Sequence, residues 1–268
     1  MKLSIQTIVF NAEDTLPTGM LQKNIKQWIG VADEIIIVEG ATKANRHYWD
    51  GDTQSFTSNG KSTDNTVDIL QSLSAKYPQV KLILGETFWN GKTSMCNAAA
   101  KFAIGDYLWQ VDSDEFYHEK DIPKIFHLLE TDKPDAIHFY AHHFFGGYQT
   151  AMGNDQPWGN GIPWMRIFKN TPGSHWISHE PPEYQLADGT VCNKGKVITR
   201  DQTNSMGIKL YHYSCVNKKQ IDFKTKFFRN NQYPILWDKW KINNNTPIFG
   251  ARTSPFIGEH PACIKEII

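Results

Sequence analysis

Residues 105–115 read Gly105-Asp106-Tyr107-Leu108-Trp109-Gln110-Val111-Asp112-Ser113-Asp114-Glu115. The apolar run from Tyr107 to Val111 predicts a buried strand opened by a Gly-Asp turn signal. The strand ends in alternating carboxylates, and open α/β folds bind their ligands at the carboxyl edge of the sheet. Carboxylate oxygens suit Mg²⁺ or Mn²⁺, ions that usually complete their shell with phosphate oxygens. The segment therefore suggests a metal that holds a diphosphate, although an isolated D-x-D pattern is also typical of an acidic turn.

The chain before this segment alternates between strand and helix patterns. Strand patterns cover residues 3–10, 34–38 and 80–84, and helix patterns cover residues 17–29, 65–77 and 92–102. This order predicts an α/β fold with a mainly parallel sheet and helices on both faces. Beyond the acidic segment we predict a helix at 122–129 and a strand at 136–140. From His142 onward we predict short strands and long loops, with one helix near 218–230. Residues 41–60 are polar and contain glycine, which is typical of an insertion loop.

Composition and charge exclude several classes of protein. The 268 residues contain no linker-like tract, so we predict one domain spanning residues 1–268. Lys plus Arg and Asp plus Glu each number 28, and this balance argues against a nucleic-acid partner. No apolar run approaches the roughly 20 residues that span a bilayer, so no transmembrane segment is predicted.

Two further features predict a cytoplasmic location. The opening residues, Met1-Lys2-Leu3-Ser4, run directly into a strand pattern and lack the layout of a signal peptide. The cysteines lie far apart and form no C-x-x-C pair, which is typical of free thiols in a reducing compartment. They are Cys96, Cys192, Cys215 and Cys263.

Several segments occur together in an order that is typical of one enzyme family. They are the opening strand with its Asn11-Ala12-Glu13 loop, Ile35–Gly40 followed by Ser62–Thr66, Gly91–Ala99, Asp112–Glu115, Trp176–Glu180 and Tyr211–Ser214. The chain resembles nucleotide-sugar glycosyltransferases with the Rossmann-like glycosyltransferase-A fold, and is most similar to the inverting family 2. The later two segments resemble those of transferases that build lipopolysaccharide cores. The chain departs from the family at Glu39, where aspartate is usual, and at the 41–60 insertion, which splits one signature.

The resemblance implies a metal-dependent inverting enzyme. It would move a sugar from a nucleoside diphosphate sugar to a hydroxyl of a glycan or glycolipid acceptor, with Mn²⁺ or Mg²⁺ as cofactor. About residues 1–125 would form the nucleotide-binding half and about 126–268 the acceptor-binding half. Two rivals remain open: an inactive glycan-binding relative and a sugar nucleotidyltransferase. The Asn11–Asp14 loop disfavours the second, because those enzymes carry a glycine-rich basic loop there.

The resemblance also assigns the donor and metal sites. The implied metal ligands are Asp112, Asp114 and His212, with His179, His142 and His143 as alternatives to His212. The implied nucleotide-sugar contacts are Phe10, Asn11, Glu39, Asp64, Lys92, Asp112 and Ser113. Asp64 is also a good helix cap, and Lys92 would also suit a solvated surface. Glu115 could bind a helix N-terminus instead of the donor.

An inverting transfer requires a base that deprotonates the acceptor hydroxyl. Glu180 is the best candidate, because two prolines restrict the backbone that follows it. Asp155 and Asp188 are fallbacks, and an ion pair of Glu180 with Arg166 or a lysine is the structural alternative. Three tryptophans of the second half either stack on a sugar or pack in the core: Trp158, Trp164 and Trp176.

Overall fold

The computed structural model describes residues 1–43, 53–152, 164–249 and 252–268. The first half contains the predicted alternation of strands and helices, except that the predicted Asn11–Asp14 loop contains a short helix, Ala12–Thr15. In chain order its elements are β1 (Leu3–Val9), α1 (Ala12–Thr15), α2 (Met20–Lys26), β2 (Glu34–Glu39), α3 (Thr66–Lys76), β3 (Val80–Leu84), α4 (Lys92–Ala100) and β4 (Tyr107–Gln110). The part of the 41–60 insertion that spans residues 44–52 lies outside the described residues.

The second half contains more regular structure than the sequence predicted. Its elements are β5 (Glu115–Tyr117), α5 (Ile122–Thr131), β6 (Ala136–Phe139), β7 (Ala141–Phe145), β8 (Thr150–Met152), β9 (Trp164–Lys169), β10 (His175–Ser178), β11 (Glu183–Gln185), β12 (Val197–Ile198), α6 (Arg200–Ser205), β13 (Leu210–Cys215), α7 (Lys218–Phe227), α8 (Gln232–Ile242), β14 (Thr253–Pro255) and α9 (Ala262–Lys265). The prediction of one helix after His142 was therefore wrong. In α8, Pro234 reads as a helix breaker, but it lies in the first turn, where proline is tolerated.

The main sheet has the strand order β12-β6-β9-β4-β1-β2-β3. Strands β3, β2, β1 and β4 are mutually parallel, and β9 runs antiparallel to both of its neighbours. The predicted α/β class with a mainly parallel sheet is confirmed. Parallel strands present their carboxyl ends at one edge, so the residues that follow β1, β2 and β4 meet there.

Both faces of the main sheet pack against other elements, because alternate side chains of β2 belong to two different core clusters. Ile35 and Ile37 join a core cluster that contains Trp28. Ile36 and Val38 point to the opposite face and pack with Met95 of α4. Successive strand residues point to opposite faces, so a strand buried on both sides is apolar throughout.

A second sheet, of order β14-β8-β7-β13-β5, begins within the acidic segment, because β5 starts at Glu115. Strand β13 pairs with β5 antiparallel and with β7 parallel. In this register His212 faces both Glu115 and His143. Distant parts of the second half are thereby brought beside the end of β4.

Two sequence-based expectations concern the whole chain. The four cysteines are free, as predicted. Within the described ranges, no helix has both the length and the apolar composition needed to cross a membrane.

Candidate active site

The acidic segment is held by a buried ion pair that the sequence did not predict. Arg166 on β9 donates to both carboxylate oxygens of Glu115, from Nε at 2.8 Å to Oε2 and from Nη2 at 2.6 Å to Oε1. Its Nη2 also lies 3.4 Å from Oδ2 of Asp112. Burial would lower the pKa of Arg166, but Glu115 and Asp112 hold the pKa above its usual value. The buried Glu115–Arg166 pair therefore fixes the position of the acidic segment.

Breaking this pair should destabilise the fold. We expect Arg166→Met to lower the free energy of unfolding by about 3–5 kcal/mol, because Glu115 would remain as an uncompensated buried charge. Adding Glu115→Gln should recover much of that loss. Urea denaturation of both variants measures the effect, with Lys218→Met in the exposed Lys218–Asp222 pair as a control that costs at most about 1 kcal/mol. Equal losses for Arg166→Met and the control would contradict this role.

Asp114 faces the second sheet. Its carboxylate Oδ2 lies 3.4 Å from Nε2 of His212, and its backbone oxygen accepts a hydrogen bond from the backbone N–H of Tyr213. Burial would raise the pKa of Asp114, but the His212 imidazole and the more distant Lys224 ammonium hold the pKa well below its usual value. Asp114 is therefore a carboxylate at neutral pH.

His212 has its own support. Its Nδ1 lies 3.0 Å from Nδ1 of His143, and the Trp164 ring packs edge-on at a centroid distance of 5.0 Å. The guanidinium group of Arg166 stacks on the same Trp164 ring, 4.6 Å from the ring centroid. Trp164 therefore connects the two groups that hold Asp114 and Glu115. His142, by contrast, packs against Tyr211 and Phe256.

A metal site is only partly preformed. The described residues contain no group of three or more His, Cys, Asp or Glu side chains arranged to hold an ion. Asp114 and His212 nevertheless place an oxygen and a nitrogen donor side by side, and Asp112 is partly exposed next to them. This donor set fits Mn²⁺ or Mg²⁺, which usually take further ligands from phosphate and water. The three predicted ligands stay a prediction.

A cleft lies at the carboxyl edge of the main sheet, beside the acidic segment. Its lining includes five of the predicted site residues, Phe10, Lys92, Asp112, Ser113 and Asp114. His179 also lines the cleft, and its Nε2 lies 3.0 Å from the Gln110 side chain. Burial lowers the pKa of His179 to about 3, so the ring is neutral. The structure brings much of the predicted donor site into one cleft.

The side chains of Asn11 and Asp64 do not line the cleft, and instead they form hydrogen bonds that connect residues 11–14 to residues 63–66. The Asn11 side-chain oxygen accepts from the Thr63 N–H at 2.8 Å. Asp64 accepts from the N–H groups of Thr66 at 3.0 Å and Asp14 at 2.8 Å. One carboxylate oxygen of Asp64 thus binds the first N–H of α3, as the helix-cap alternative implied, and the other binds an N–H of α1.

Glu39 lies at the end of β2 and is fully buried. Its Oε1 accepts from the Ser62 N–H at 2.8 Å, whereas Oε2 has no hydrogen-bond partner among the described residues. Burial raises the pKa of Glu39 above its usual value, against the hydrogen bond from Ser62. One carboxylate oxygen therefore remains for a further polar group.

Glu180 lies next to Lys92 and not next to Arg166. Its Oε2 is 3.7 Å from Lys92 Nζ, and 41% of its side chain is exposed. Lys92 begins α4 and stacks 5.0 Å from the centroid of the Phe227 ring. An exposed carboxylate beside a cleft cation suits a base that receives an acceptor from solvent.

The remaining candidate residues for sugar stacking and for the base lie in different environments. Trp176 is buried in the core, with its Nε1 donating to Gln6. The fallback Asp188 is exposed in a turn and accepts from the Thr190 N–H. Asp155 and Trp158 lie outside the described residues.

The sequence-based prediction missed one wall of the cleft. Helix α7 supplies four of the lining residues, Gln220, Phe223, Lys224 and Phe227. Their spacing of i, i+3, i+4 and i+7 places them on one helix face, and this spacing was the available signal. Nothing in the sequence indicated that this face would meet the nucleotide half.

The comparison with known families decides the class of the protein. Residues 52–182 match the family model described as Glycosyl transferase family 2. Over this range the chain is similar to family 2 glycosyltransferases. The matched range contains Lys92, the acidic segment and Glu180, whereas Glu39 and His212 fall outside it. The predicted family and enzyme class are confirmed.

The chain is similar to several known proteins. It is 28% identical over 136 residues to the poly(ribitol-phosphate) beta-glucosyltransferase of Bacillus spizizenii, covering 50% of this chain and 18% of that protein. S. aureus TarS residues 1–349 are 19% identical, with a TM-score of 0.41 over 63% of this chain and 47% of that one. The mannosyltransferase PcManGT of Pyrobaculum calidifontis is 13% identical, with a TM-score of 0.45 over 99% and 67%. The chain thus spans less than half the length of the first two.

Proposed function

We propose that this glycosyltransferase is metal-dependent and inverting, and that it moves a sugar from a nucleoside diphosphate sugar to a hydroxyl of a glycan or glycolipid. The observation that carries the proposal is the Asp114–His212 contact beside the cleft that Asp112, Ser113 and Lys92 line. It combines donors for a hard cation with a cation at a helix start, where phosphate binds favourably.

The nucleoside would bind beyond the end of β1 and β2. Phe10 offers an aromatic face in the cleft, and Glu39 keeps one buried carboxylate oxygen without a partner. A buried acceptor without a partner costs about 1–3 kcal/mol, which a donor group of a nucleobase or ribose would offset. Asn11 and Asp64 would shape this end through the loops they join, in addition to any direct contact.

Asp114 and His212 would hold the divalent ion, with Asp112 nearby. When bound, the ion supplies positive charge that neutralises the developing charge of the leaving diphosphate. His212 can serve as a nitrogen ligand if its Nδ1 carries the proton and donates it to His143, because Nε2 then keeps its lone pair. His143 would in this way fix the tautomer of His212.

Glu180 would act as the base. Its carboxylate takes the proton from the acceptor hydroxyl as that oxygen attacks the anomeric carbon. The bond between the anomeric carbon and the phosphate oxygen breaks on the opposite side, and the nucleoside diphosphate leaves with the electron pair. Lys92, 3.7 Å from Glu180, would lie near both the base and the phosphates and would stabilise both anions.

A turnover assay tests the proposal. UDP-, GDP-, CDP- and dTDP-sugars are incubated with Mn²⁺ or with EDTA, with and without polyol and glycan acceptors, and the released nucleoside diphosphate is measured. Glucose is the first sugar to test, since the similar Bacillus protein is a glucosyltransferase. Release with Mn²⁺ only, and a product of inverted anomeric configuration by proton NMR, are the expected results. Glycan binding that is indifferent to EDTA, without any release, would favour the inactive glycan-binding alternative.

A further inference from the structure

One face of α7 contributes to the donor cleft although it belongs to the second half of the chain. Gln220, Phe223, Lys224 and Phe227 line the cleft. Exposed positions elsewhere on the helix carry charges, among them Lys219 and Lys226. The inward face of an amphipathic helix is usually apolar, but on this helix the face that lines the cleft includes a lysine, Lys224. The position of Lys224 therefore requires an explanation.

The charge of Lys224 is not neutralised at close range. Among the described residues, no carboxylate lies within ion-pair distance of its Nζ, and the ammonium acts on Asp114 from farther away. The other cleft lysine, Lys92, has Glu180 at 3.7 Å. The nearby Arg166 is occupied by Glu115 and Asp112. Lys224 is thus the cleft-lining cation whose charge remains for a ligand.

The proposed nucleotide-sugar donor would bring negative charge into the cleft beside Lys224. Its diphosphate is doubly charged, and cleavage of the bond to the sugar adds a further negative charge to the leaving group. A divalent ion held by Asp114 and His212, with Asp112 nearby, would already be balanced by the two carboxylates. Additional cations aimed at the leaving phosphate are a common source of stabilisation in group transfer.

We propose that Lys224 is a donor-binding residue that pairs with the diphosphate of the nucleotide sugar. The inference rests on the proposed function and extends it to a residue outside the matched family range. Its contact with the phosphates strengthens as the diphosphate becomes the leaving group, so Lys224 favours transfer as well as binding. It also makes the second half of the chain part of the donor site.

Calorimetric titration of Lys224→Met tests the proposal. The ligand is whichever of UDP, GDP, CDP and dTDP binds the wild-type protein with Mn²⁺, together with the matching nucleoside. We expect the diphosphate to bind roughly 10- to 100-fold more weakly, as is usual when a charged hydrogen bond is lost, and the nucleoside to bind unchanged. Lys226→Met, on the exposed face of the same helix, is the matched control and should bind like wild type. Lys224→Arg should retain most of the affinity.

The possible outcomes separate this inference from the proposed function. If the wild-type protein binds a diphosphate and Lys224→Met binds it equally well, the role of Lys224 is overturned. Equal losses for the diphosphate and the nucleoside would also overturn it, because they indicate a distorted cleft. Lys224→Gln, with its melting temperature checked, repeats the test if the Met variant is unfolded. A wild-type protein that binds no nucleoside diphosphate would overturn the proposed function and this inference with it.

Discussion

Asp114→Asn should abolish the metal dependence of donor binding and lower transfer by roughly 10²- to 10³-fold or more. The substitution keeps the size of the side chain but removes the anionic oxygen beside His212. The fold should survive, because the strand contact of residue 114 uses its backbone oxygen, which accepts from the Tyr213 N–H. Calorimetry with Mn²⁺ and with EDTA measures binding, and product release measures transfer.

Asp68→Asn is the matched control for this variant. Asp68 is exposed in the first turn of α3, so its substitution should leave both binding and transfer unchanged. An Asp114→Asn protein that binds the nucleoside diphosphate like wild type, with a difference between Mn²⁺ and EDTA as large as before, would remove Asp114 from the metal site.

Glu180→Gln should separate binding from chemistry. The amide cannot accept the proton of the acceptor hydroxyl, so we expect transfer to fall by roughly 10²- to 10⁴-fold. Donor affinity should be unchanged or slightly higher, because Lys92 loses its neighbouring carboxylate and can bind phosphate more freely. Steady-state kinetics give the loss in kcat, and calorimetry gives the donor affinity.

Glu183→Gln provides the control for the base. Glu183 begins β11 on the same hairpin and is half-buried, and no role in the site is assigned to it. Its substitution should leave kcat within a few-fold of wild type. Near-normal turnover of Glu180→Gln would place the base on another residue.

The strand-and-helix order of the first half could be predicted because its signals are local. Val80–Leu84 is a short apolar run, and Lys92–Ala100 follows a glycine at a helix start, so each element can be identified from its own residues. The position of Asp112 and Asp114 at the sheet edge follows from the strand that precedes them. The predicted cleft residues Phe10, Lys92 and Ser113 follow from the same parallel order.

The contacts that complete the site could not be derived from local patterns, because they join distant segments; only the family resemblance had grouped His212 with Asp114. His212 lies beside Asp114 only because β13 pairs with β5, and nothing in either segment specifies that register. Arg166 reaches Glu115 because β9 inserts antiparallel next to β4. Local patterns set the elements, whereas the pairing of strands across the chain is decided by packing.

Asp64 illustrates the limit of a sequence motif. The same residue matched a nucleotide signature and a helix cap, and the structure shows both carboxylate oxygens engaged with backbone N–H groups. A residue type that suits two roles is assigned by its neighbours in space. The α7 face with Lys224 was missed for the related reason that an amphipathic helix does not reveal what it packs against.

The most direct test of the account is a thermal-shift titration of the wild-type protein with UDP, GDP, CDP and dTDP, each with Mn²⁺ and with EDTA. A ligand at 100 times its dissociation constant stabilises the folded protein by about 2.7 kcal/mol, enough to raise the melting temperature measurably. The account predicts that one nucleoside diphosphate raises the melting temperature with Mn²⁺ and fails to do so with EDTA. An equal shift in EDTA, or no shift with any of the four, would contradict it.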